Sequence, residues 1–483
     1  MSDSSVSLMK NTFYNIAKSF SSIIFPLITF PYISRVLMPE NVGKYNFSNT
    51  YISYFTLAAS LGVTTYAVRE CAKVKDSRET VSRVASEIFS INVCTMMISY
   101  AALFVSLILV SRLKEYRSLI LILSSTIFFT IVGADWINTA FEDIRYITLR
   151  TFMFQAISLG LMFTIVRGKD DYVKYAMITA FSLCGANVLN VFYRRRFCDI
   201  KFVLHMNWRK HFPGIIMLFV MLFAQQIYCN SDITMLGIMR SNYEVGLYSL
   251  SVRIYTALTQ VISSILWVLL PRLTERYVTK DYDSINDILN KALQYMIGLG
   301  LPCVVGGISL SRQIVILIGG INYGNAATSL RILLVALFMN LIGGGFIGNL
   351  ILLSSNREKY FVISCVVAAV TNVGLNFVLI PIGGINAAAF TTLLSYAVIF
   401  VFLLPKVEKN IKLKIKDAMY APASGAILIG IICQIMIKFI SNEFICLLLA
   451  VAFSVVGYAV VLYLFKYPLF QSILNSIITK LKH

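Results

Sequence analysis

Long apolar stretches, each of about 20 residues or more, recur from one end of the chain to the other, separated by short polar connections. Such a stretch suits a helix crossing a hydrocarbon core of roughly 30 Å. The pattern predicts about 14 spans, centred near Ile23, Phe55, Met97, Ile127, Leu159, Phe181, Gln226, Leu258, Gly300, Met339, Ala369, Leu394, Leu428 and Val455. The stretches are continuous rather than alternating at every second residue, which excludes a transmembrane barrel. The longest connection runs from about Arg194 to Phe212, so no extramembrane domain able to fold alone is expected. The fold class is an all-α polytopic membrane protein. The first stretch follows a polar start and carries Lys18. It lacks the short apolar core and small-residue cleavage site of a signal peptide, and reads as a retained first span.

Composition agrees with the pattern. The chain is 58% hydrophobic and 13% charged, with a mean hydropathy of +0.76. Soluble domains carry about 25% charged residues. The net charge of +19 gains a meaning once the spans are placed. With the N-terminus inside, 28 of the 42 Lys and Arg residues fall on the inner side, ten on the outer side and four in or at the edge of spans. The positive-inside bias therefore predicts both termini in the cytoplasm. It also accounts for the basic charge without a nucleic-acid partner.

The spans are duplicated. Val42-Gly43-Lys44-Tyr45 aligns with Val245-Gly246-Leu247-Tyr248 at an offset of 203, and Ser48 then meets Ser251. In the same register Arg69 meets Arg272 and Lys73 meets Arg276. Six spans separate the copies, and an even number preserves orientation, so the repeats are parallel. This predicts a six-helix bundle over 1–203, a second over 204–417, and two additional helices with a tail over 418–483. Paired bundles of this kind are a transporter architecture, working by alternating access with the substrate held between the repeats.

Several chemistries are not supported. No GxxxxGK[ST] motif is present to hold ATP, so the energy source is expected to be an ion gradient (Na+ or H+), substrate supply or downstream consumption of the product. No HExxH or GxSxG motif points to catalysis, and the chain is not expected to be an enzyme. No cofactor is expected. Asp281-Tyr282-Asp283 lies in a short inner loop and reads as a solvated charge cluster. The nine cysteines lack CxxC spacing and read as small core residues. His205, His211 and His483 form no ligand cluster with them.

Four segments carry a family resemblance. FPYISRVLMPENVGKYNFS (Phe30 to Ser48), LGVTTYAVRE (Leu61 to Glu70), DWINTAFEDIRYITLR (Asp135 to Arg150) and NVGLNFVLIPIGGINAAA (Asn372 to Ala389) resemble bacterial O-antigen flippases of the multidrug/oligosaccharidyl-lipid/polysaccharide exporter superfamily. The resemblance covers all but the last two spans. Thr139-Ala140 and Asn386-Ala387 depart from the family's Gln-Gly and Gly-Ala. It implies an inner-membrane protein that carries an undecaprenyl-pyrophosphate-linked repeat unit, an O-antigen or similar surface polysaccharide, from the cytoplasmic to the periplasmic leaflet. Membrane lipids, and the polymerase and chain-length proteins of the same pathway, are its implied partners. Two rivals remain at this level: a multidrug or metabolite exporter of the same architecture, and a membrane-embedded polysaccharide polymerase.

Charges inside spans are costly and mark candidate sites. Asp232 and Arg253 flank the turn between spans 7 and 8 at similar depth, as a fixed or a switchable pair. Their repeat counterparts are Thr29 and Thr50, so the charges belong to one half only. Arg253, Lys18 and Arg331 are candidates for an anionic head group, with Asn49 and Tyr45 for sugar contacts on the polar face of span 2. Snorkelling to the interface is the alternative for Lys18 and Arg331. Asp232 and Asp135 are candidates for ion coupling or gating; a pairing carboxylate beside the belt residue Trp136 is the plainer reading of Asp135. Arg253→Ala and Asp232→Ala are each expected to abolish surface glycan while the protein still inserts, measured by glycan blots alongside membrane yield.

Overall fold

The computed structural model describes residues 3–204 and 206–481. The side chains of residues 3–13, 15–20, 22 and 23, and of some positions within 217–228 and 473–481, lie outside the description. Every regular element among the described residues is helical. Ten of these helices are long and apolar enough to cross a membrane, so this is a multi-pass membrane protein. The chain forms two compact units, Met1–Gly246 and Leu247–His483. The first division falls after span 7 rather than at 203/204, because the seventh span packs on the first helix.

In the first unit, α1 (Asp3–Ser60) holds spans 1 and 2 in 58 residues, broken at Met38 (φ 63°, ψ 164°) just before Pro39. Proline has no N–H to continue the helical ladder, so the turn falls there. α2 (Val63–Ala72) follows a second break, where Leu61 and Gly62 both have positive φ. Next come α3 (Arg78–Leu109), α4 (Arg117–Gly133), the short α5 (Trp136–Ala140), α6 (Ile144–Ile165), α7 (Tyr172–Tyr193) and α8 (Trp208–Met239). α1 packs on α3, α4, α6 and α8, and α4 runs along α7. An apolar cluster of Tyr66, Val84, Ile88, Ile137 and Ile215 joins α2, α3, α5 and α8. Trp136 is 5% exposed within it, so it is a core residue and not the belt residue its position suggested. In the loop after α6, Asp171 accepts from Lys174 and from the N–H groups of Arg167 and Gly168. Lys174 first, then those two amides, hold its carboxyl down at about 2.

The second unit contains most of α9 (Asn242–Thr279), then α10 (Tyr282–Ser309), α11 (Ser311–Gly319), α12 (Ala326–Asn340), α13 (Glu358–Leu403), α14 (Ile415–Phe439), α15 (Glu443–Leu464) and α16 (Pro468–Leu481). α12 runs on as a π-helix over Leu341–Leu352, whose glycines meet neighbouring side chains closely. α13 has 46 residues and turns at Gly384 (φ 53°, ψ −132°). At 1.5 Å per residue it spans about 70 Å, enough for the two predicted spans 11 and 12. The Asp281 carboxylate caps α10 by accepting from the Ser284 N–H at 3.1 Å, which explains the DxD sequence as a helix start. α10 packs on α14, and α14 on α15.

The sequence repeat has a structural counterpart inside the first unit. A Cβ on Gly43 would sit 1.8 Å from the Asn242 carbonyl oxygen, and one on Gly246 would sit 1.9 Å from the Pro39 carbonyl oxygen. Pro39 and Asn242 stand in the same 203-residue relation as Gly43 and Gly246. Each contact is thus the image of the other, the pattern of a local two-fold crossing. The crossing is braced from the side: Tyr116 donates to the Asn242 carboxamide at 2.5 Å, Asn242 donates to Glu115 at 3.0 Å, and Glu115 pairs with Lys44 at 3.2 Å.

A second correspondence is invisible in the alignment. The chain leaving α7 runs extended beside α3, and Asp199, Lys201 and Val203 donate their N–H groups to Ser82, Ser86 and Ser90 (3.1, 3.0 and 2.8 Å). The chain leaving α13 does the same beside α10: Lys412 and Lys414 donate to the Asn286 and Asn290 side chains, each at 2.7 Å. Those carboxamides donate back to the Asn410 and Lys412 carbonyls. Residues four apart on a helix share a face, and alternate N–H groups of an extended chain point the same way, so the two spacings mesh.

Gly43→Ala and Gly246→Ala are each expected to destabilise the protein by about 3 kcal/mol, since neither carbonyl can retreat. Gly160→Ala, at a helical glycine with open space around it, should stay within about 1 kcal/mol of wild type. Thermal midpoints of the purified protein check both.

Candidate functional site

The first unit has a polar seam between α1 and α8. Gln226, Asn230 and Thr234 form a stripe four residues apart on α8. Gln226 Nε2 donates to Ser53 Oγ at 2.6 Å, and Thr234 Oγ1 lies 3.1 Å from the Tyr54 hydroxyl. Asp232, on the same helix, is only 5% exposed. Hydroxyl and carboxamide pairs of this kind hold membrane helices together. A buried carboxylate among them is costly at membrane depth.

The sequence-predicted residues have varied surroundings. Tyr45 is buried, its ring 4.5 Å from Tyr175 and its hydroxyl 3.3 Å from Thr179, so it joins α1 to α7. Asn49, four residues on, is exposed. The side chain of Lys18 lies outside the described residues. Asp135 accepts two bonds of 2.7 Å from Arg150 Nη2. The Arg150 side chain, which the sequence does not single out, is 3% exposed, with its guanidinium 5.4 Å from the Tyr146 ring centre. Among the described residues its Nε and Nη1 have no partner. Asp232 belongs to the first unit and Arg253 to the second.

In the second unit Arg253 is partly buried on α9. Two residues before it, Ser251 bonds Ser329 and the Ala326 carbonyl of α12. One turn further along α9, the Tyr255 hydroxyl accepts from Asn340 at 2.9 Å. Arg331 is exposed, and its Nε donates to Ser311 at 2.7 Å. The unit also holds a groove of 680 Å³ between α10, α14, α15 and α16, which the sequence did not reveal. Pro302, Gly306, Ile429, Val451 and Ala459 are among its walls. Two wall tyrosines have their hydroxyls engaged by main-chain carbonyls: Tyr458 donates to Gly298 at 2.6 Å, and Tyr467 to Gln294 at 2.8 Å. Ser454 Oγ lies 3.8 Å from Cys433 Sγ. The groove thus offers carbon to a ligand. Its volume falls within the roughly 300–1,000 Å³ of small-ligand sites.

Comparison with known proteins places this arrangement. The family model described as "Polysaccharide biosynthesis protein" matches residues 8–276, and the one described as "Lipid II flippase MurJ" matches residues 215–456. A curated relative from Escherichia coli (strain K12), named "Putative O-antigen transporter", is 22% identical over 421 residues, covering 85% of this chain and 99% of the relative. Among solved structures, "Lipid II flippase MurJ, inward closed conformation" matches with a TM-score of 0.73 at 16% identity, covering 96% of this chain and 100% of that one. An inward-facing multidrug resistance MATE family transporter of the MOP superfamily matches with a TM-score of 0.58 at 15% identity, over 82% and 93% of the two chains. At these identities the structures share the fold.

Asp135→Leu strands a nearly buried guanidinium and is expected to destabilise the protein by about 3 kcal/mol. Asp135→Leu combined with Arg150→Met removes both charges and should recover most of that loss. Thermal unfolding of the single and double variants measures the coupling.

Proposed function

The chain belongs to the polysaccharide biosynthesis protein family, and from that premise we propose that it is an inner-membrane flippase carrying undecaprenyl-pyrophosphate-linked repeat units from the cytoplasmic to the periplasmic leaflet. The observation that carries the lipid part is the groove in the second unit. Its walls are apolar and the polar atoms of its tyrosines are already bonded. A chain of isoprene units gains about 0.8 kcal/mol for each CH₂ buried, and such a wall makes no demand for hydrogen bonds in return. The head group is the opposite problem: a pyrophosphate and sugars must cross hydrocarbon. Arg253 supplies a planar donor suited to phosphate oxygens. The polar seam of α1 and α8, with Asp232, supplies hydroxyls, carboxamides and a carboxylate at membrane depth. The polymerase and chain-length proteins of the same pathway consume what is delivered.

The family premise and the groove are tested together by following lipid-linked intermediates in each leaflet. Loss of the protein should strand complete repeat units on the cytoplasmic leaflet. Single units attached outside would instead mark a polymerase, and an unchanged glycolipid with raised drug sensitivity a drug pump. Val451→Trp and Ala459→Trp fill the groove from α15. Together they should cut delivery about tenfold or more while membrane yield stays near wild type; undiminished delivery would remove the groove from the mechanism.

A further inference from the structure

His211 stands in the first turn of α8 and is fully buried. Its two ring nitrogens meet partners from two other helices. Nδ1 lies 2.9 Å from the Tyr66 hydroxyl of α2, and Nε2 lies 2.9 Å from Glu87 Oε2 of α3. Glu87 is 20% exposed. It lines an open crevice of 1010 Å³ shared with Ser82, Arg83, Ser86, Lys201 and Val203. A continuous chain of hydrogen-bonding atoms therefore runs from solvent to Glu87, to His211 and to Tyr66. The crevice opens beside the connection after α7, which contributes Asp199, Lys201 and Val203 to it.

The chemistry of this chain has two states. With Glu87 ionised and the ring neutral, Nε2 carries the hydrogen donated to Glu87, and Nδ1 accepts from the Tyr66 O–H. A proton added to the ring goes to Nδ1, which then donates to the Tyr66 oxygen. The Tyr66 hydrogen must turn to another acceptor. Tyr66 lies against the helix that carries His211: a Cβ on Gly214 would be 2.7 Å from its ring. The same helix carries Asp232. The protonation state of the imidazole is thereby read where α2 holds the start of α8.

Charged groups surround the ring, among them the buried Arg194, whose guanidinium lies 5.4 Å from the centre of the Phe89 ring of α3. On α2, Glu70 is paired with Arg69 and Lys73, and Arg69 also lies over the Tyr66 ring, 5.6 Å from its centre. On α3, Glu79, Arg83 and Glu87 border the crevice. On the connection after α7, Asp199 pairs with Arg78, and Lys201 lines the crevice. Asp135, before α5, is held by Arg150. Cys71 and Cys198 are buried thiols of the neighbouring apolar cluster, and Arg209 and Lys210 precede His211 on its own helix. Glu87 is the carboxylate directly on the ring.

We infer that Tyr66, His211 and Glu87 form a proton-binding relay whose occupancy is coupled to lipid transfer, with His211 as the titrating group. The inference rests on the flippase reading, and on the positive-inside expectation that puts the connection after α7 on the side where that reading loads the lipid. A proton that exchanges against exported lipid leaves on the loading side. Acidifying that side therefore holds the relay occupied and slows the cycle.

The test uses the full chain in proteoliposomes carrying a fluorescent undecaprenyl-pyrophosphate oligosaccharide, with pH varied on the crevice side alone. Wild type should slow about fivefold or more between roughly pH 7.5 and 5.5. His211→Gln, which keeps hydrogen bonding but cannot titrate, should give a flat profile, and Glu87→Gln should move the midpoint to lower pH by removing the ring's anionic partner. A His211→Gln profile that follows wild type overturns the coupling, as does a wild-type rate indifferent to pH. A second measurement needs neither substrate nor variant: hydrogen exchange at the His211 ring carbon in the purified wild-type protein should titrate between about pH 5 and 8. Absence of that titration overturns the relay. A wild-type protein that moves no lipid at any pH overturns the flippase reading and the coupling with it, whereas lipid movement with an unshifted His211→Gln profile overturns the coupling alone.

Discussion

Two main chains approach at Gly43 and Gly246 to a distance no side chain permits, each glycine facing the carbonyl four residues before the other. That reciprocity gives the internal duplication its physical meaning. Parallel repeats are related by an axis along the membrane normal. Where helices cross near such an axis, equivalent residues meet one another and bulk is doubled. A glycine on one strand alone would not suffice, because its counterpart would supply the Cβ. The shared Val-Gly is therefore a steric requirement imposed twice. The Lys44–Glu115–Asn242–Tyr116 contacts brace the crossing without symmetry, since Glu115 and Tyr116 come from the connection between α3 and α4.

Symmetry of the frame does not extend to its chemistry. The counterparts of Asp232 and Arg253 are Thr29 and Thr50, both buried, with hydroxyls in place of charges. The ladders that clip the two extended connections also differ: serine hydroxyls in the first half, asparagine carboxamides in the second. The asparagine version both accepts and donates. In the serine version the hydroxyl hydrogen is directed into the helix itself, as Ser82 and Ser90 donate to the carbonyls of Arg78 and Ser86. Both solve one problem. An extended segment beside a helix leaves alternate N–H groups without a ladder, and an unpaired backbone donor at a membrane boundary is expensive.

What the sequence could disclose follows from range. The spans were legible because hydropathy is a property of consecutive residues; the structure merges spans 1 with 2 and 11 with 12 into bent helices at Met38 and Gly384 without changing the reading. The duplication was legible through Gly43 and Gly246, where sterics permit one residue type. The ladder Ser82-Ser86-Ser90 had a visible four-residue spacing, but the strap it holds comes more than 110 residues later. His211 looked isolated for the same reason: its partners lie 145 and 124 residues away. Arg150 draws no notice in the sequence because nothing local shows that α6 turns it inward. The π-helix at Leu341–Leu352 has glycines at 343–345 and 348, which announce close packing but not a widened turn. The groove has no sequence signature, since residues that line an opening and residues that fill a core are equally apolar.

The groove and the polar seam together constrain what kind of molecule this protein handles. A transporter for a wholly polar solute has no use for a wall from which Tyr458 and Tyr467 have withdrawn their hydroxyls into main-chain bonds. A transporter for a wholly apolar solute has no use for Asp232 buried on α8, which costs several kcal/mol at membrane depth. A lipid with a charged, sugar-bearing head presents both surfaces in one molecule. Its tail never needs to leave hydrocarbon, so the energetic difficulty of transfer lies wholly in the head. Asp232 and Arg253 sit within spans, while well-exposed charged pairs, such as Arg78–Asp199 at the start of α3 and Lys291–Asp287 on α10, contribute little.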